Sequence, residues 1–332
     1  MRKRIISLPL LGILLVANLS WVVSHPFRHF AFSPFQDTRA PERRRTDRMP
    51  LEIPGGARVE FGEFYSAALK EEREYSIFLP QSYSSSQSRY PVVYFLHGLN
   101  NDHTSWTVDR YGRLHEKLAR LIADKKIPEV LMVHPKGDNS FYTNYLDGSK
   151  NYEDYITQDL IQFVEKTYRV KSGTRWRAIG GTSMGGFGAL KIAFKHKNLY
   201  SATAGHSPIV FQVDPSRMPE ETKTSGRFDF FTRLITPIFG NPVDIERWRQ
   251  NNPLDLARNS NLKGLRIYFD YGTADRYNQV MNLGQALRTL DQVLAQHGEP
   301  HIFREYPNEP HGWELVSLHL PESMAFLCES FW

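Results

Sequence analysis

The residue best placed for covalent catalysis is Ser183, which lies in the motif GTSMG at 181–185. A short apolar strand pattern (WRAI, 176–179) precedes the motif, and a helix pattern rich in glycine and alanine (186–196) follows it. This order is typical of a nucleophile elbow, in which a strained turn exposes the serine hydroxyl. The free N–H groups at the start of the helix would then face developing negative charge. The alternative is that Ser183 only caps the helix.

A serine nucleophile needs a base, and the base needs an acid that holds its tautomer. In an α/β-hydrolase sheet the acid follows the serine in the chain, and the histidine follows the acid. Asp275 lies in a loop after the apolar strand pattern LRIYF (265–269), where its side chain can reach across the strand ends. Asp270, still at the edge of that strand, is the alternative. We therefore predict Asp275 as the acid.

The base should follow the last strand of the sheet. His311 lies in a proline-rich loop directly after the strand pattern IFREY (302–306). His301 precedes that strand, and His319 falls near the start of the last predicted helix. His311 is therefore the favoured base, with His301 and His319 as alternatives.

A second turn, His97-Gly98-Leu99, follows the strand pattern PVVYFL (91–96). Such a turn at a strand end lets the next backbone N–H point into the site. We predict an oxyanion hole formed by the backbone N–H groups of Leu99 and Met184, each worth ~3 kcal/mol of transition-state stabilisation. Because His97 precedes the serine and lies in this loop, we interpret it as a structural histidine.

Strand and helix patterns alternate from about residue 57. The predicted strands are 74–79, 92–96, 130–133, 176–179, 201–205, 265–269 and 302–306. The predicted helices are 113–124, 152–168, 186–196, 279–297 and 322–331. Near-continuous apolar strands between helices are typical of a mostly parallel central sheet with helices on both faces. The chain thus predicts one α/β domain over 56–332.

Residues 207–255 interrupt this alternation with six prolines and an aromatic cluster at Phe228, Phe230 and Phe231. An insertion of this size at the strand ends would lie near the active site. It could form a wall of the substrate pocket or only a packed surface excursion.

The start of the chain predicts export. Three cationic residues, Arg2 to Arg4, precede an apolar run over 5–23, and together residues 1–24 read as a signal peptide or as a single membrane anchor. Residues 25–55 form a predicted linker rich in proline and arginine. Both interpretations place the catalytic domain outside the cytosol, in a periplasmic, secreted or membrane-anchored form, with membrane association through 5–23 in the anchored case.

Charge and composition exclude several classes of protein. The formal net charge of +5 belongs to residues 1–55, so residues 56–332 carry no net charge and no field for nucleic acid. One cysteine, Cys328, cannot form an intramolecular disulfide, and no histidine has metal-ligand spacing. We therefore expect no metal, no cofactor and no nucleic-acid partner.

Long stretches of residues 57–332 resemble the esterase branch of the α/β hydrolases, which includes esterase D (S-formylglutathione hydrolase), feruloyl esterases, tributyrin esterases and mycolyltransferases. The resemblance is carried by the segments 89–106, 140–170, 178–208, 267–277 and 310–313. It implies the α/β-hydrolase fold and the same roles for Ser183, Asp275, His311 and the N–H groups of Leu99 and Met184. Two departures are Thr182, where leucine is frequent, and 312–314, where a serine–aromatic pattern is usual.

These observations predict a serine carboxylesterase acting on a small-molecule or glycan-linked ester, such as an acyl-sugar, aryl or short-chain acyl ester. An acyltransferase to a sugar or lipid alcohol is the alternative enzyme, and a non-catalytic binding module on the same fold is the alternative from another class. Four aromatic residues are predicted to line the pocket: Trp106, Tyr142, Tyr145 and Trp313. The oligomeric state stays open.

Overall fold

A computed structural model describes residues 49–217 and 226–332. Within these residues the strands are β1 (Leu51–Glu52), β2 (Arg58–Ser66), β3 (Glu71–Leu79), β4 (Val92–Leu96), β5 (Leu131–Pro135), β6 (Arg177–Thr182), β7 (Ala202–His206), β8 (Arg266–Gly272) and β9 (His301–Tyr306). The helices are α1 (Leu114–Ala123), α2 (Tyr152–Asp154), α3 (Leu160–Thr167), α4 (Met184–Lys195), α5 (Gly226–Phe239), α6 (Ile245–Arg249), α7 (Pro253–Asn259), α8 (Tyr277–Met281), α9 (Leu283–Gln296) and α10 (Trp313–Cys328). A π-helical turn, Tyr155–Asp159, joins α2 to α3.

All the strands belong to one sheet, in the order β1-β2-β3-β5-β4-β6-β7-β8-β9. The strands from β5 to β9 in this order run parallel, whereas β1, β2 and β3 are antiparallel additions at one edge. Every residue of β4, β6 and β7 is buried, which explains why these strands read as continuous apolar or small-residue runs. The carboxyl ends of the parallel strands share one edge, so the loops after β4, β6, β8 and β9 meet there.

Helices cover both faces of the sheet, as predicted. On one face α1 and α10 pack through Leu114, Leu118, Val316 and Leu320. On the other face α3, α4, α7 and α9 bury a larger layer of aliphatic and aromatic side chains. The predicted 207–255 insertion holds α5, α6 and the start of α7. Within it, Phe231 packs on Phe211 with ring centroids 5.4 Å apart. The side chain of Phe228 lies outside the described residues, and Phe230 is exposed.

Two strands at the edge of the sheet escaped the sequence prediction. β2 is mostly half-buried, and its apolar and polar residues do not alternate cleanly. It pairs with β3 along its whole length, whereas on its other side only the two residues of β1 pair with it. Leu51 and Glu52 of β1 pair with Val59 and Arg58, and Ile53 is buried. The sheet therefore begins inside the segment assigned to the linker, whose residues 25–48 lie outside the described residues.

The last helix begins at Trp313, nine residues before the predicted start, and continues through Pro321. A proline inside a helix removes one N–H, which leaves the carbonyl of the residue four positions earlier without its usual donor. Here that carbonyl is Ser317 O, and Lys117 Nζ of α1 donates to it at 2.7 Å. A side chain from a neighbouring helix thus replaces the lost backbone hydrogen bond.

The predicted export segment, 1–24, lies outside the described residues. Among 49–217 and 226–332, the structure contains no helix with the length and apolar character needed to cross a bilayer.

A buried ion pair ties α4 to the segment before α3. Lys191 of α4 is fully buried and donates to Glu153 Oε2 at 2.8 Å and to Thr143 Oγ1 at 2.9 Å. Lys195 and His196 contact the other carboxylate oxygen of Glu153, each at 2.8 Å. Burial lowers the pKa of Lys191 to about 8. Burial opposes ionisation of Glu153 too, but the lysine charges and the His196 hydrogen bond outweigh it, so the net pKa of Glu153 is lowered.

The substitution Glu153→Gln should reduce the free energy of unfolding at pH 7 by about 3–5 kcal/mol, because it leaves Lys191 buried without a counter-charge. The wild-type pKa of Glu153 is lower in the folded than in the unfolded chain, where it is near 4.5. The unfolded chain therefore binds the extra proton below that pH, and this one group makes stability fall by about 1.4 kcal/mol per pH unit on acidification. Denaturant unfolding from pH 3 to 7 measures both effects.

In the Glu153→Gln variant the part of the pH dependence of stability that comes from Glu153 should be absent. Glu72→Gln, on an exposed side chain of β3, is the matched control and should stay within about 0.5 kcal/mol of wild type. An equal loss in both variants would contradict the prediction.

Candidate active site

Ser183 lies on a sharp turn between β6 and α4, as the elbow prediction required. Its backbone adopts φ 58° and ψ −118°, a conformation that side-chain-bearing residues seldom take. Three backbone hydrogen bonds hold it there. Its N–H donates to His206 O at 2.8 Å, and its carbonyl accepts from Phe187 N at 2.9 Å and Ile209 N at 3.3 Å. The 207–255 insertion therefore begins directly beside the serine.

Glycine allows this turn to approach β4. A Cβ atom on Gly185 would overlap the carbonyl groups of Leu96 and His97, and one on Gly181 would overlap the carbonyl of Gly185. No side chain could fit at either position without moving the backbone. The glycines of the GTSMG motif are therefore required by close packing between β4, β6 and α4.

The structure brings Ser183, His311 and Asp275 together. His311 Nε2 lies 2.8 Å from Ser183 Oγ, and His311 Nδ1 lies 2.6 Å from Asp275 Oδ2. Because a carboxylate only accepts, Nδ1–H donates to Asp275 and Nε2 is left to accept from the serine hydroxyl. Tyr277 N–H donates to Asp275 Oδ1 at 2.9 Å, and the Tyr277 ring meets the imidazole edge-on at 4.7 Å. This arrangement can transfer the serine proton to the imidazole.

The alternative acid lies elsewhere. Asp270 is fully buried in β8, and its Oδ2 contacts His206 Nδ1 at 2.8 Å. The alternative bases are also engaged: His301 Nε2 contacts Asp291 Oδ1 at 3.0 Å, and His319 Nε2 contacts Glu309 Oε2 at 2.7 Å. The serine thus contacts the favoured base, and that base contacts the favoured acid.

The loop predicted to form the oxyanion hole lies against the serine. A Cβ atom on Gly98 would stand 3.3 Å from Ser183 Cβ, which places Gly98, the residue before Leu99, beside Ser183. Met184 is the first residue of α4, where N–H groups have no acceptor within the helix. One predicted donor thus follows Ser183 in the chain, and the other follows a glycine that packs against Ser183.

His97 supports this loop through its side chain. Its Nδ1 lies 2.8 Å from Gly98 O, and its Nε2 accepts from Gly137 N–H at 2.9 Å. Burial lowers the pKa of His97, which favours the neutral ring that this pair of bonds requires. The bonding fits the structural role predicted for it.

The chain is similar in sequence to known esterases. The family model described as "Putative esterase" matches residues 66–327. The chain belongs to this esterase family. Esterase Rv1288 of Mycobacterium tuberculosis (strain ATCC 25618 / H37Rv) is 26% identical over 267 residues, which are 75% of this chain and 55% of that protein. The chain therefore spans about half the length of this curated relative. An acetyl esterase of Caldicellulosiruptor saccharolyticus is 22% identical over 277 residues, covering 80% of this chain and 96% of that one.

Solved structures show that the fold is that of the α/β hydrolases, as predicted. A ferulic acid esterase superposes with a TM-score of 0.67 at 24% identity, over 83% of this chain and 99% of that one. An S-formylglutathione hydrolase from Agrobacterium tumefaciens also has a TM-score of 0.67, at 18% identity over 85% and 98% of the two chains.

Two of the four predicted pocket residues in this esterase-family chain require correction. Trp106 and Tyr142 are fully buried, and each donates a hydrogen bond to a buried group of the protein. Trp106 Nε1 donates to Ser76 Oγ at 2.9 Å, and Tyr142 O–H donates to His97 O at 3.0 Å. Their aromatic character serves packing under the active-site loops, so we assign them no contact with substrate.

The other two predicted pocket residues, Tyr145 and Trp313, keep some exposed surface, although Trp313 is largely buried. Tyr145 is half-buried and packs on Tyr152, with ring centroids 5.7 Å apart. Trp313 begins α10 two residues after His311, and its Nε1 donates to Asn101 Oδ1 at 2.7 Å. Trp313 therefore joins the histidine loop to the oxyanion loop.

Two neighbours of the site were not predicted. Asn101 follows the oxyanion turn by two residues and anchors Trp313, whereas Tyr277 holds Asp275 through its backbone. The polar pair Asn100-Asn101 after a strand was a visible signal for the first; nothing in the sequence signalled the second. Within the described residues no group of three or more His, Cys, Asp or Glu side chains could hold a metal ion.

The substitution Asp275→Asn should leave the protein folded and lower kcat by about 10⁴-fold, because an amide facing Nδ1 favours the wrong imidazole tautomer. Asp270→Asn, the matched control, should lower the melting temperature and reduce kcat by no more than about tenfold, because Asp270 does not contact His311 and so does not set its tautomer. Thermal unfolding and hydrolysis of p-nitrophenyl acetate, measured on both variants, test this. An inactive but stable Asp270→Asn would transfer the role of acid to Asp270.

Proposed function

We propose that the protein is a carboxylic ester hydrolase that works through a covalent acyl-enzyme on Ser183. One observation carries the proposal: the hydrogen-bonded chain from Ser183 Oγ through His311 to Asp275, with distances of 2.8 and 2.6 Å. Membership of the esterase family supports it independently.

In the proposed reaction, His311 Nε2 takes the hydroxyl proton as Ser183 Oγ attacks the ester carbonyl carbon. The carbonyl oxygen becomes an oxyanion, and the N–H groups of Leu99 and Met184 stabilise it. The C–O bond to the alcohol then breaks, and His311 gives its proton to the leaving alkoxide. Water, deprotonated by His311, attacks the acyl-enzyme. The bond between the acyl carbon and Ser183 Oγ then breaks, and His311 returns the proton to Oγ as the carboxylic acid leaves. Asp275 stabilises the imidazolium throughout.

For the substrate we propose a small-molecule or glycan-linked ester with an aryl or short acyl group. The support comes from relatives: a curated protein with 28% identity over 41% of this chain is an endo-1,4-beta-xylanase/feruloyl esterase of Xylanibacter ruminicola, and another relative is named an acetyl esterase. Hydrolysis across feruloyl, acetyl-sugar, aryl and short-chain esters, compared by kcat/KM, distinguishes these classes.

A fluorophosphonate should label wild-type protein at one site, Ser183, because among residues 49–217 and 226–332 it is the one serine in contact with an imidazole at the carboxyl-end edge of the sheet. Ser183→Ala should abolish labelling and ester hydrolysis. The control Ser207→Ala removes a nearby buried hydroxyl that has no hydrogen-bond partner in the described structure, and it should retain both properties. Intact-protein mass spectrometry and p-nitrophenyl acetate hydrolysis are the measurements. Labelling that persists in the Ser183→Ala variant would refute the assignment of Ser183 as the nucleophile.

The same assay in the presence of a competing sugar or lipid alcohol measures the fate of the acyl group. For a hydrolase we expect the free acid as the main product at all alcohol concentrations. Predominant transfer to the alcohol would instead identify an acyltransferase, and stoichiometric labelling without turnover of any ester would favour a binding module.

We further propose that residues 1–24 direct the chain out of the cytosol. The cationic start and the apolar run over 5–23 support this. Protein isolated from its native host should begin at or near His25, or should sediment with membranes at full length. N-terminal sequencing of the fractionated protein tests this, and a full-length product in the cytosol would contradict it.

A further inference from the structure

A second Ser–His–Asp chain lies behind the active site, sealed from solvent. His206 Nδ1 is 2.8 Å from Asp270 Oδ2, and His206 Nε2 is 2.9 Å from Ser323 Oγ. All three side chains are fully buried, so this serine cannot meet a substrate. We call these three residues the buried relay.

The buried relay crosses a mostly apolar layer. It lies between the sheet and α10, among Ala204, Tyr268, Leu320 and Met324. Polar groups in such surroundings are costly unless they are paired, and their directional bonds then specify one arrangement of the elements that carry them. Asp270 Oδ2 also accepts from Tyr268 O–H at 3.1 Å, and Ser323 Oγ also lies 3.2 Å from Leu320 O. The relay is therefore a bonded junction of β7, β8 and α10.

One arm of the junction reaches the nucleophile through the backbone. The carbonyl of His206 accepts from the N–H of Ser183 at 2.8 Å, which is one of the bonds that hold the strained serine. The next residue, Ser207, has φ 41°, and its N–H donates to Asp270 O at 2.8 Å. Asp270 thus holds both the side chain of His206 and the backbone that follows it.

The other arm reaches the base through α10. Ser323 lies on this helix, which starts at Trp313, directly after His311 and Gly312. A shift or rotation of α10 against β7 would therefore move His311 relative to Ser183. Apolar contacts alone resist such sliding weakly because they are non-directional.

We propose that His206, Asp270 and Ser323 are positioning residues that hold Ser183 and His311 at reacting distance. This inference rests on the proposed function. Because the relay has no exposed atom and touches no substrate, its loss should lower kcat and leave KM unchanged. The relay does not take part in proton transfer.

The test is a double-mutant cycle on the full chain with p-nitrophenyl acetate, with active sites counted from the acylation burst. Ser323→Ala removes only one hydroxyl, and His206→Phe keeps the ring shape without its hydrogen bonds. Each variant should lower kcat per active site by about five- to tenfold and keep KM within about twofold of wild type. This loss of rate is smaller than the roughly 10²-fold loss that a 1 Å misplacement can cause. The double variant should fall no further than His206→Phe alone, because one junction is lost in both.

Leu327→Ala is the matched control. This buried residue lies on α10 one turn after Ser323 and outside the relay, so its removal should lower the melting temperature without changing kcat per active site. Unchanged kcat in Ser323→Ala, additive effects in the double variant, or an equal loss of kcat in Leu327→Ala would each overturn the relay's role. If His206→Phe fails to fold, Ser323→Ala against Leu327→Ala decides. Wild-type protein without a burst or turnover would refute the proposed function itself, and the relay's role with it.

Discussion

The strained backbone of Ser183 is the constraint on which the rest of the site depends. A conformation of this kind costs of the order of 1–3 kcal/mol and persists only where the surroundings over-determine it. Here the end of β7 binds the serine N–H, the first turn of α4 and the start of the 207–255 insertion bind its carbonyl, and glycines let β4 approach closely. These contacts hold Ser183 in the conformation that brings its hydroxyl to His311.

Two buried polar networks brace this turn from opposite faces of the sheet. On the face covered by α4, the Lys191–Glu153 ion pair ties the nucleophile's helix to the segment around Thr143. On the face covered by α10, the buried relay joins that helix to β7 and β8. Apolar burial supplies most of the stability of such layers, but it specifies position weakly; directional bonds in a dry interior specify it well. The proposed chemistry therefore depends on groups that no substrate touches.

Where local pattern and tertiary environment agreed, prediction from the sequence succeeded. β4 was predicted with its observed bounds because a strand buried on both faces must be apolar throughout. The edge strands β1 and β2 lack that requirement and were missed. The predicted start of the last helix was nine residues too late, because Pro321 is typical of a helix boundary. The Lys117 amine that replaces the missing backbone donor is supplied by the packing of α1 against α10.

The sequence by itself determined the turn at Ser183, the turn after β4 and the chain order of the proposed serine, acid and base. Each depends on residues adjacent in the chain or on a fixed order of strands. It also determined membership of the esterase family, because the motifs extend through the domain. Only the tertiary structure decided which aspartate meets His311, since Asp270 and Asp275 are five residues apart and differ in which side of the strand end they face. Likewise, aromatic type alone could not distinguish Trp106 and Tyr142, which have no exposed surface, from Trp313, which is also buried but joins the histidine loop to Asn101. The contacts of a single aromatic side chain depend on all the surrounding chain, and the residue type alone does not encode them.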